Sequence, residues 1–99
     1  MRVPTFQVTT RFERDWKQLG PELRTRFQRV VTAQFVPDLV RGAFRPGLRV
    51  KGVQAAAGVF EMTWAPDGRA TFSYGTPQQP GEPHIIWRRI GTHDVFREP

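Results

Sequence analysis

The chain has 99 residues, of which 38% are hydrophobic and 24% are charged, values that predict one globular domain. It contains no cysteine, which excludes a disulfide framework and cysteine-based zinc sites. No stretch approaches the roughly 18 apolar residues of a membrane span. The first residues carry no apolar signal segment, so we expect a soluble cytoplasmic protein.

The net charge of +6 is the most informative feature of the composition, because 15 basic residues stand against 9 acids. Only Lys17 and Lys51 are lysines, so 13 of the 15 cations are arginine. Arginine pairs bidentately with phosphate and stacks on bases. The excess therefore indicates a polyanion or an acidic protein as partner. A genome rich in G and C would also favour arginine over lysine, but it would not explain the net charge.

The first half of the chain predicts a short strand followed by two helices. Residues 6–9 alternate apolar and polar side chains, as an edge strand does. Thr10 and Glu13 match a capping box, and apolar residues follow at helical spacing. The Gly-Pro pair at 20–21 ends one helix and starts the next, which predicts a helical hairpin. Pro37 is expected to end or kink the second helix.

The second half changes to the two-residue period of strands. Residues 48–51 predict a strand with one cationic face, and 60–64 and 71–74 predict a hairpin joined by the turn at 65–68. The apolar run within 84–90 predicts a last strand that is buried on both faces and central. The whole order predicts an α+β domain, with the helical hairpin on one face of a mainly antiparallel sheet of four or five strands.

Motifs for metal and phosphate chemistry are missing from the sequence. The two histidines, His84 and His93, are too few for a catalytic zinc site, which needs three protein ligands. The chain has neither a glycine-rich phosphate loop nor a G-x-S-x-G nucleophile motif. We therefore expect no metal and no other cofactor.

A small group of residues could nevertheless cleave RNA without a metal. His93 follows the last predicted strand, and Asp67 lies in the turn between the predicted strands 60–64 and 71–74. Antiparallel pairing can bring such positions together. Histidine transfers protons near neutral pH, and cations stabilise charge on phosphate. Structural alternatives stay open, since a histidine after a strand is more often a surface residue and Asp67-Gly68 is a common turn pair. The cations on the predicted sheet or its rim are Arg49, Lys51, Arg69, Arg88 and Arg89.

Several segments resemble the RelE/ParE toxin superfamily. Residues 12–19 match the F-x-R-D-x-K-x-L pattern of its first helix, and 48–51 and 58–69 resemble its central strands. Residues 89–96 are similar to the G-T-H-x-x-L-F ending of the YafQ-like branch. The resemblance covers about residues 6–96 and implies a RelE-like toxin of a type II toxin–antitoxin system. It further implies an endoribonuclease that cuts mRNA on the ribosome.

The resemblance also assigns roles to individual residues. It makes His93, Asp67 and Arg89 the catalytic candidates, and Phe96 an aromatic that helps to place the substrate base. Thr63 departs from the family, because the closest catalytic relatives have a histidine there. A further histidine, expected before the predicted strand 60–64, is also missing, and Arg49 or Lys51 lies nearby instead. The other substrate-binding candidates are Arg49, Lys51, Arg69 and Arg88.

Two other functions remain open on the sequence. The ParE branch shares the scaffold and acts on DNA gyrase, but it generally lacks the terminal histidine. A basic RNA-binding module without activity would explain Thr63. The resemblance implies a cognate antitoxin as partner, in a hetero-oligomer, and no membrane. The G-T-H ending favours the nuclease branch.

Overall fold

The computed structural model describes residues 4–92, Val95 and residues 98–99. The predictions for His93 and Phe96 therefore lie outside the described residues. In chain order the elements are β1 (Thr5–Val8), α1 (Thr10–Gln18), α2 (Pro21–Val30), α3 (Val36–Arg41), β2 (Lys51–Gly52), β3 (Val59–Thr63), β4 (Arg69–Tyr74) and β5 (His84–Gly91). A π-helical segment, Val31–Phe35, joins α2 to α3, and a 3-10 turn, Pro46–Leu48, precedes β2.

The cap of α1 lies one residue before the predicted position. Thr9, and not Thr10, is the N-cap, and its Oγ1 accepts a hydrogen bond from the Phe12 amide at 3.1 Å. The same hydroxyl donates to the carbonyl of Arg88 at 2.8 Å. Because Arg88 belongs to β5, the cap also ties α1 to the sheet. The second helix begins at Pro21, as predicted.

The helical chain continues past Pro37 into α3, so the proline does not end it. Proline has no amide hydrogen to donate to the preceding turn. A π turn stands directly before it, in which the Val36 amide donates to the carbonyl of Val31. The helix ends at Gly42, whose φ of 86° is a left-handed conformation that favours glycine.

The five strands form one sheet in the order β1-β5-β4-β3-β2. β1 runs parallel to β5, and the other neighbours are antiparallel. The central position of β5 and the β3–β4 hairpin were both predicted and are confirmed. Between β4 and β5 the register passes from Phe72–Trp87 to Thr71–Arg89, so Arg88 is an extra residue in a bulge. The predicted fold class, helices packed on one face of a mainly antiparallel sheet, is confirmed.

An aromatic core lies between the helices and the sheet. Phe27 of α2 packs edge-on against Trp64 and Trp87, and Phe35 packs against Phe72 in the same way. Alternate residues of β3 and β4 supply this core, so the residues between them point to the other side of the sheet. We call that side the open face. No helix in the described part of the chain is long and apolar enough to cross a membrane.

The strand predicted over residues 48–51 is wrong in most of its length. Leu48 ends the 3-10 turn and is only 1% exposed, because it joins the core. Arg49 follows in a left-handed conformation, with φ 48° and ψ 43°. Pairing begins only at Lys51, which lies opposite Glu61 of β3. Because Leu48 is buried in the core, this segment forms a turn and not the strand that its alternating apolar and basic residues predicted.

Candidate functional site

The end of the sheet brings three strands to the neighbourhood of Asp67. Thr63 of β3 lies opposite Arg69 of β4, and Arg69 lies opposite Gly91 of β5. Asp67 lies in the turn just beyond this row and is exposed. His93 comes two residues after Gly91 in the sequence, outside the described residues. The register thus brings the end of the strand that leads to His93 beside the turn that carries Asp67.

The turn that carries Asp67 is fixed by its neighbours. The Gly68 amide donates to the carbonyl of Ala65 at 3.0 Å, and the Trp64 amide donates to the carbonyl of Gly68 at 3.1 Å. A Cβ on Gly68 would come within 2.7 Å of the Trp64 ring, so no larger residue fits without movement. Arg69 Nη1 donates to the carbonyl of Gly68 at 3.0 Å. Arg69 therefore stabilises the turn as well as facing the site.

Arg89 occupies a second row on the open face, in which Glu61 lies opposite Thr71 and Thr71 lies opposite Arg89. Its Nε donates to Asp15 Oδ2 at 2.6 Å and its Nη2 to Oδ1 at 3.1 Å. The hydrogen bond with the Asp15 carboxylate raises the pKa of Arg89. The Ile90 amide donates to the same carboxylate. α1 thus orients this guanidinium against the sheet.

Lys51 and Arg88, two more of the cations predicted on the sheet or its rim, also have partners. Lys51 Nζ lies 3.3 Å from Glu61 Oε1 and is well exposed. Arg88 Nε donates to the carbonyl of Pro99 at 3.2 Å, and Thr71 Oγ1 donates to the same oxygen at 3.1 Å. Pro99 therefore lies over the open face, near the middle of the second row.

A cleft with a volume of about 380 Å³ opens between α2, the 46–49 turn and the β3–β4 turn. We call it the arginine cleft. None of its three arginines forms an ion pair with a carboxylate in the described part of the chain. The polar and aromatic residues in its wall include Arg26, Gln34, Arg49, Thr63, Trp64 and Arg69.

Arg26 and Gln34 are the members of the cleft that the sequence analysis missed. Arg26 falls outside the apolar stripe of its helix, as Arg24 and Arg29 do. Residues 26, 30 and 34 recur every four positions, which puts them on one helix face. That spacing was the signal by which the sequence could have indicated one wall of the cleft. It could not identify the opposite wall, because Arg49 and Thr63 are distant in sequence.

His84 has a structural position away from this site. It is buried, with Nδ1 2.6 Å from Thr5 Oγ1 and Nε2 2.7 Å from Gln7 Oε1. Both partners belong to β1, so the ring holds the edge strand to β5. Among the described residues, no three His, Asp or Glu side chains are grouped in a way that could hold a metal ion.

No protein-family model and no curated protein sequence matches the chain. Several solved structures do match its fold. A chain of the RelB–RelE antitoxin–toxin complex from Methanococcus jannaschii is 12% identical with a TM-score of 0.59, and the match covers 92% of this chain and 94% of that one. A chain of the E. coli DinJ–YafQ complex is 14% identical, with coverage of 96% and 97% and a TM-score of 0.59. The conserved hypothetical protein HP0892 from Helicobacter pylori is 17% identical, with coverage of 93% and 97% and a TM-score of 0.51.

At these identities the matches establish the architecture. The chain has the fold of the toxins in the RelB–RelE and DinJ–YafQ complexes, as the resemblance of its segments implied. A shared fold leaves the chemistry to be argued from the site itself.

Proposed function

We propose that this protein is the toxin of a type II toxin–antitoxin system and that it cleaves mRNA on the ribosome without a metal ion. The observation that carries the proposal is the row Thr63–Arg69–Gly91, which joins the turn of Asp67 to the strand leading to His93. The toxin-like fold and the net charge of +6 support it.

In the proposed reaction, the 2′-hydroxyl of one nucleotide attacks the adjacent phosphate. The 2′-oxygen forms a bond to phosphorus while the bond to the 5′-oxygen breaks, leaving a cyclic phosphate and a 5′-hydroxyl. Asp67 and His93 transfer the protons, one accepting that of the 2′-hydroxyl and the other protonating the leaving oxygen. Arg89, oriented by Asp15, stabilises the charge that develops on the phosphate.

The substrate-binding residues of the proposal surround these groups. Lys51 and Arg88 lie on the open face, and Arg49 and Arg69 line the arginine cleft beside it. Phe96 is proposed to stack on a base. Thr63 belongs to the row Thr63–Arg69–Gly91, but its hydroxyl cannot take up a proton near neutral pH. Proton transfer therefore depends on His93 and Asp67.

The proposed partner is an antitoxin that binds the basic surface of the chain. The structures of similar fold include toxins crystallised with the antitoxins RelB and DinJ. An acidic or amphipathic segment would neutralise the cations of the open face and block access to RNA. The two chains together would form the hetero-oligomer expected from the sequence.

Mapping of 5′ ends of cellular mRNA after brief induction tests the nuclease proposal. We expect wild type to produce cuts at a fixed position within codons, and His93→Ala to lower their yield by about 100-fold or more, the usual contribution of a general acid or base. Arg14→Ala, an exposed change on α1, is the control and should cut like wild type.

Other outcomes would change the proposed function. Full cutting by His93→Ala would remove this histidine from the chemistry. Growth arrest with intact mRNA and inhibited supercoiling would replace the nuclease by a gyrase inhibitor. Normal growth with retained RNA binding would leave a binding module without activity.

A further inference from the structure

We propose that the arginine cleft binds a phosphodiester group of single-stranded RNA outside the bond that is cut, and that Arg26 of α2 is one of its ligands. The inference rests on the proposed function, because it names a second contact of the same substrate. It adds Arg26 and Gln34 to the residues that bind RNA.

The walls of the cleft supply donors from two sides. Arg26, Val30 and Gln34 lie one helical turn apart along α2 and the π-helical segment that follows it. Arg49 and Arg69 come from the turns opposite. Guanidinium groups bind the oxygens of a phosphate bidentately, and the amide of glutamine can donate to a further oxygen. The cleft therefore presents donors to an anion from both walls.

The three arginines of the cleft are not among those that carboxylates hold in place among the side chains that the structure describes. Asp38 pairs with Arg41 and Arg45, and Asp15 pairs with Arg89. Within the described ranges, Arg26, Arg49 and Arg69 have no carboxylate partner. Like charges that face one cleft repel each other, and an anionic ligand removes that repulsion.

The indole of Trp64 gives a second, independent indication. Trp64 is 4% exposed, and its Nε1 is buried with no hydrogen-bond acceptor in the part of the chain that the structure describes. Buried donors in proteins are nearly always satisfied, by the protein or by something bound to it. Trp64 also lines the cleft, so an oxygen bound there would supply the acceptor once the Gly68 turn, which covers the indole, moves slightly.

The backbone conformation of Arg49 also supports a binding role for the cleft. Its left-handed conformation, φ 48°, is rare for a residue with a side chain. It is held by the buried side chain of Leu48 and by the Arg49 amide, which donates to the carbonyl of Pro46 at 3.0 Å. Unusual backbone conformations concentrate at binding and active sites. Here the conformation keeps Arg49 at the rim of the cleft.

RNA is the favoured ligand because the cleft adjoins the proposed site of cleavage. Both residues line the cleft and also form the row that adjoins the turn of Asp67. A strand of RNA whose scissile phosphate lies near Asp67 can therefore place a neighbouring phosphate in the cleft. α2 would then share in substrate binding.

A six-nucleotide RNA with 2′-O-methyl groups tests the inference, because it lacks the attacking hydroxyl and binds without being cut. We expect Arg26→Gln to weaken its binding about 5–10-fold, as measured by fluorescence anisotropy, and to lower the dependence of log Kd on log salt by about 0.7. Arg29→Gln is the matched control, since Arg29 lies on the same helix outside the cleft wall and carries the same charge. It should change Kd by less than about 2-fold.

The Trp64 indole provides a readout in the wild-type protein, in which all arginines of the cleft are intact. In a nitrogen–proton spectrum, assigned with Trp64→Phe, its Nε1–H signal should shift as the analogue is added, whereas the Trp16 signal should stay in place. Equal losses of affinity in Arg26→Gln and Arg29→Gln, or an unmoved Trp64 signal at saturation, would overturn the inference. Binding through Arg26 without any cutting of unmodified mRNA would preserve the cleft and refute the nuclease proposal.

Discussion

Two groups of arginines in this small domain differ in what surrounds them. Asp38, fully buried, accepts hydrogen bonds from the Arg45 amide at 2.9 Å, from Arg45 Nε at 2.8 Å and from Arg41 Nη2 at 2.7 Å. The arginine cleft holds three guanidiniums with no carboxylate partner among the described residues. Net charge alone does not distinguish a cation that holds a loop in place from one that is free for a ligand.

The ion pairs of Asp38 also help to position one wall of the arginine cleft. Arg45 stands directly before the 3-10 turn Pro46–Leu48, and that turn leads to Arg49. Because Arg45 is bound to Asp38 in the first turn of α3, the start of the segment that forms one wall of the cleft is fixed. The arginines that bind Asp38 therefore support one wall of the cleft, whereas the arginines that line the cleft have no carboxylate partner among the described residues.

Removal of the Asp38 carboxylate should have the largest effect on stability. Asp38→Ala leaves two guanidiniums and a backbone amide without their acceptor, so we expect the melting temperature to fall by roughly 10 °C. Thermal unfolding followed by circular dichroism measures this. Glu22→Ala, an exposed acid on α2, is the control for loss of one negative charge. A fall no larger than that of the control would show that the Asp38 pairs do not support the cleft wall.

Acid should lower the stability of the protein by protonating the same carboxylate. The hydrogen bond from Arg45 lowers the pKa of Asp38 to about 2, below the value of about 3.9 in an unfolded chain. A depressed carboxyl pKa adds stability above the unfolded pKa, and that stability is lost as pH falls from about 4 to 2. Asp38→Asn should therefore lose less stability than wild type over this window. Parallel curves for the two proteins would contradict the assignment.

Asp15→Asn tests Arg89, an arginine that is paired with a carboxylate and is also a catalytic candidate. We expect about 1–3 kcal/mol of destabilisation, because the Arg89 pair and the bond from the Ile90 amide are weakened. If Asp15 positions Arg89 for catalysis, the mRNA cleavage rate should also fall about 10-fold while affinity for the 2′-O-methyl analogue changes little. Loss of stability with an unchanged rate would leave the pair a purely structural role.

Local signals in the sequence predicted most of the fold. The β3–β4 hairpin and the central β5 were found because turn residues and an apolar run lie within each segment. The strand over residues 48–51 failed because Leu48 is drawn into a core that no local pattern reveals. Thr9 rather than Thr10 caps α1 because its hydroxyl also bonds the carbonyl of Arg88, far along the chain.

The candidate site was predicted less completely than the fold. Arg26 was missed because its significance depends on Arg49 and Arg69, which approach it only in the folded chain. The pairing of Arg89 with Asp15 joins residues 74 positions apart and left no trace in the sequence. The catalytic role of His93 and the base contact of Phe96 stay predictions.

Arg49→Gly should have the smallest effect on stability and the sharpest contrast between stability and binding. Glycine adopts the left-handed conformation without strain, so we expect the free energy of unfolding to change by no more than about 1 kcal/mol, because relief of strain is offset by the greater freedom of the unfolded chain. Loss of the guanidinium should still weaken binding of the 2′-O-methyl analogue about 5–10-fold. Arg49→Lys, measured by urea unfolding and anisotropy beside it, separates charge from the bidentate fork. Unchanged affinity in Arg49→Gly would mean that the strained position serves the turn alone, and that the arginines of the cleft do not act together on RNA.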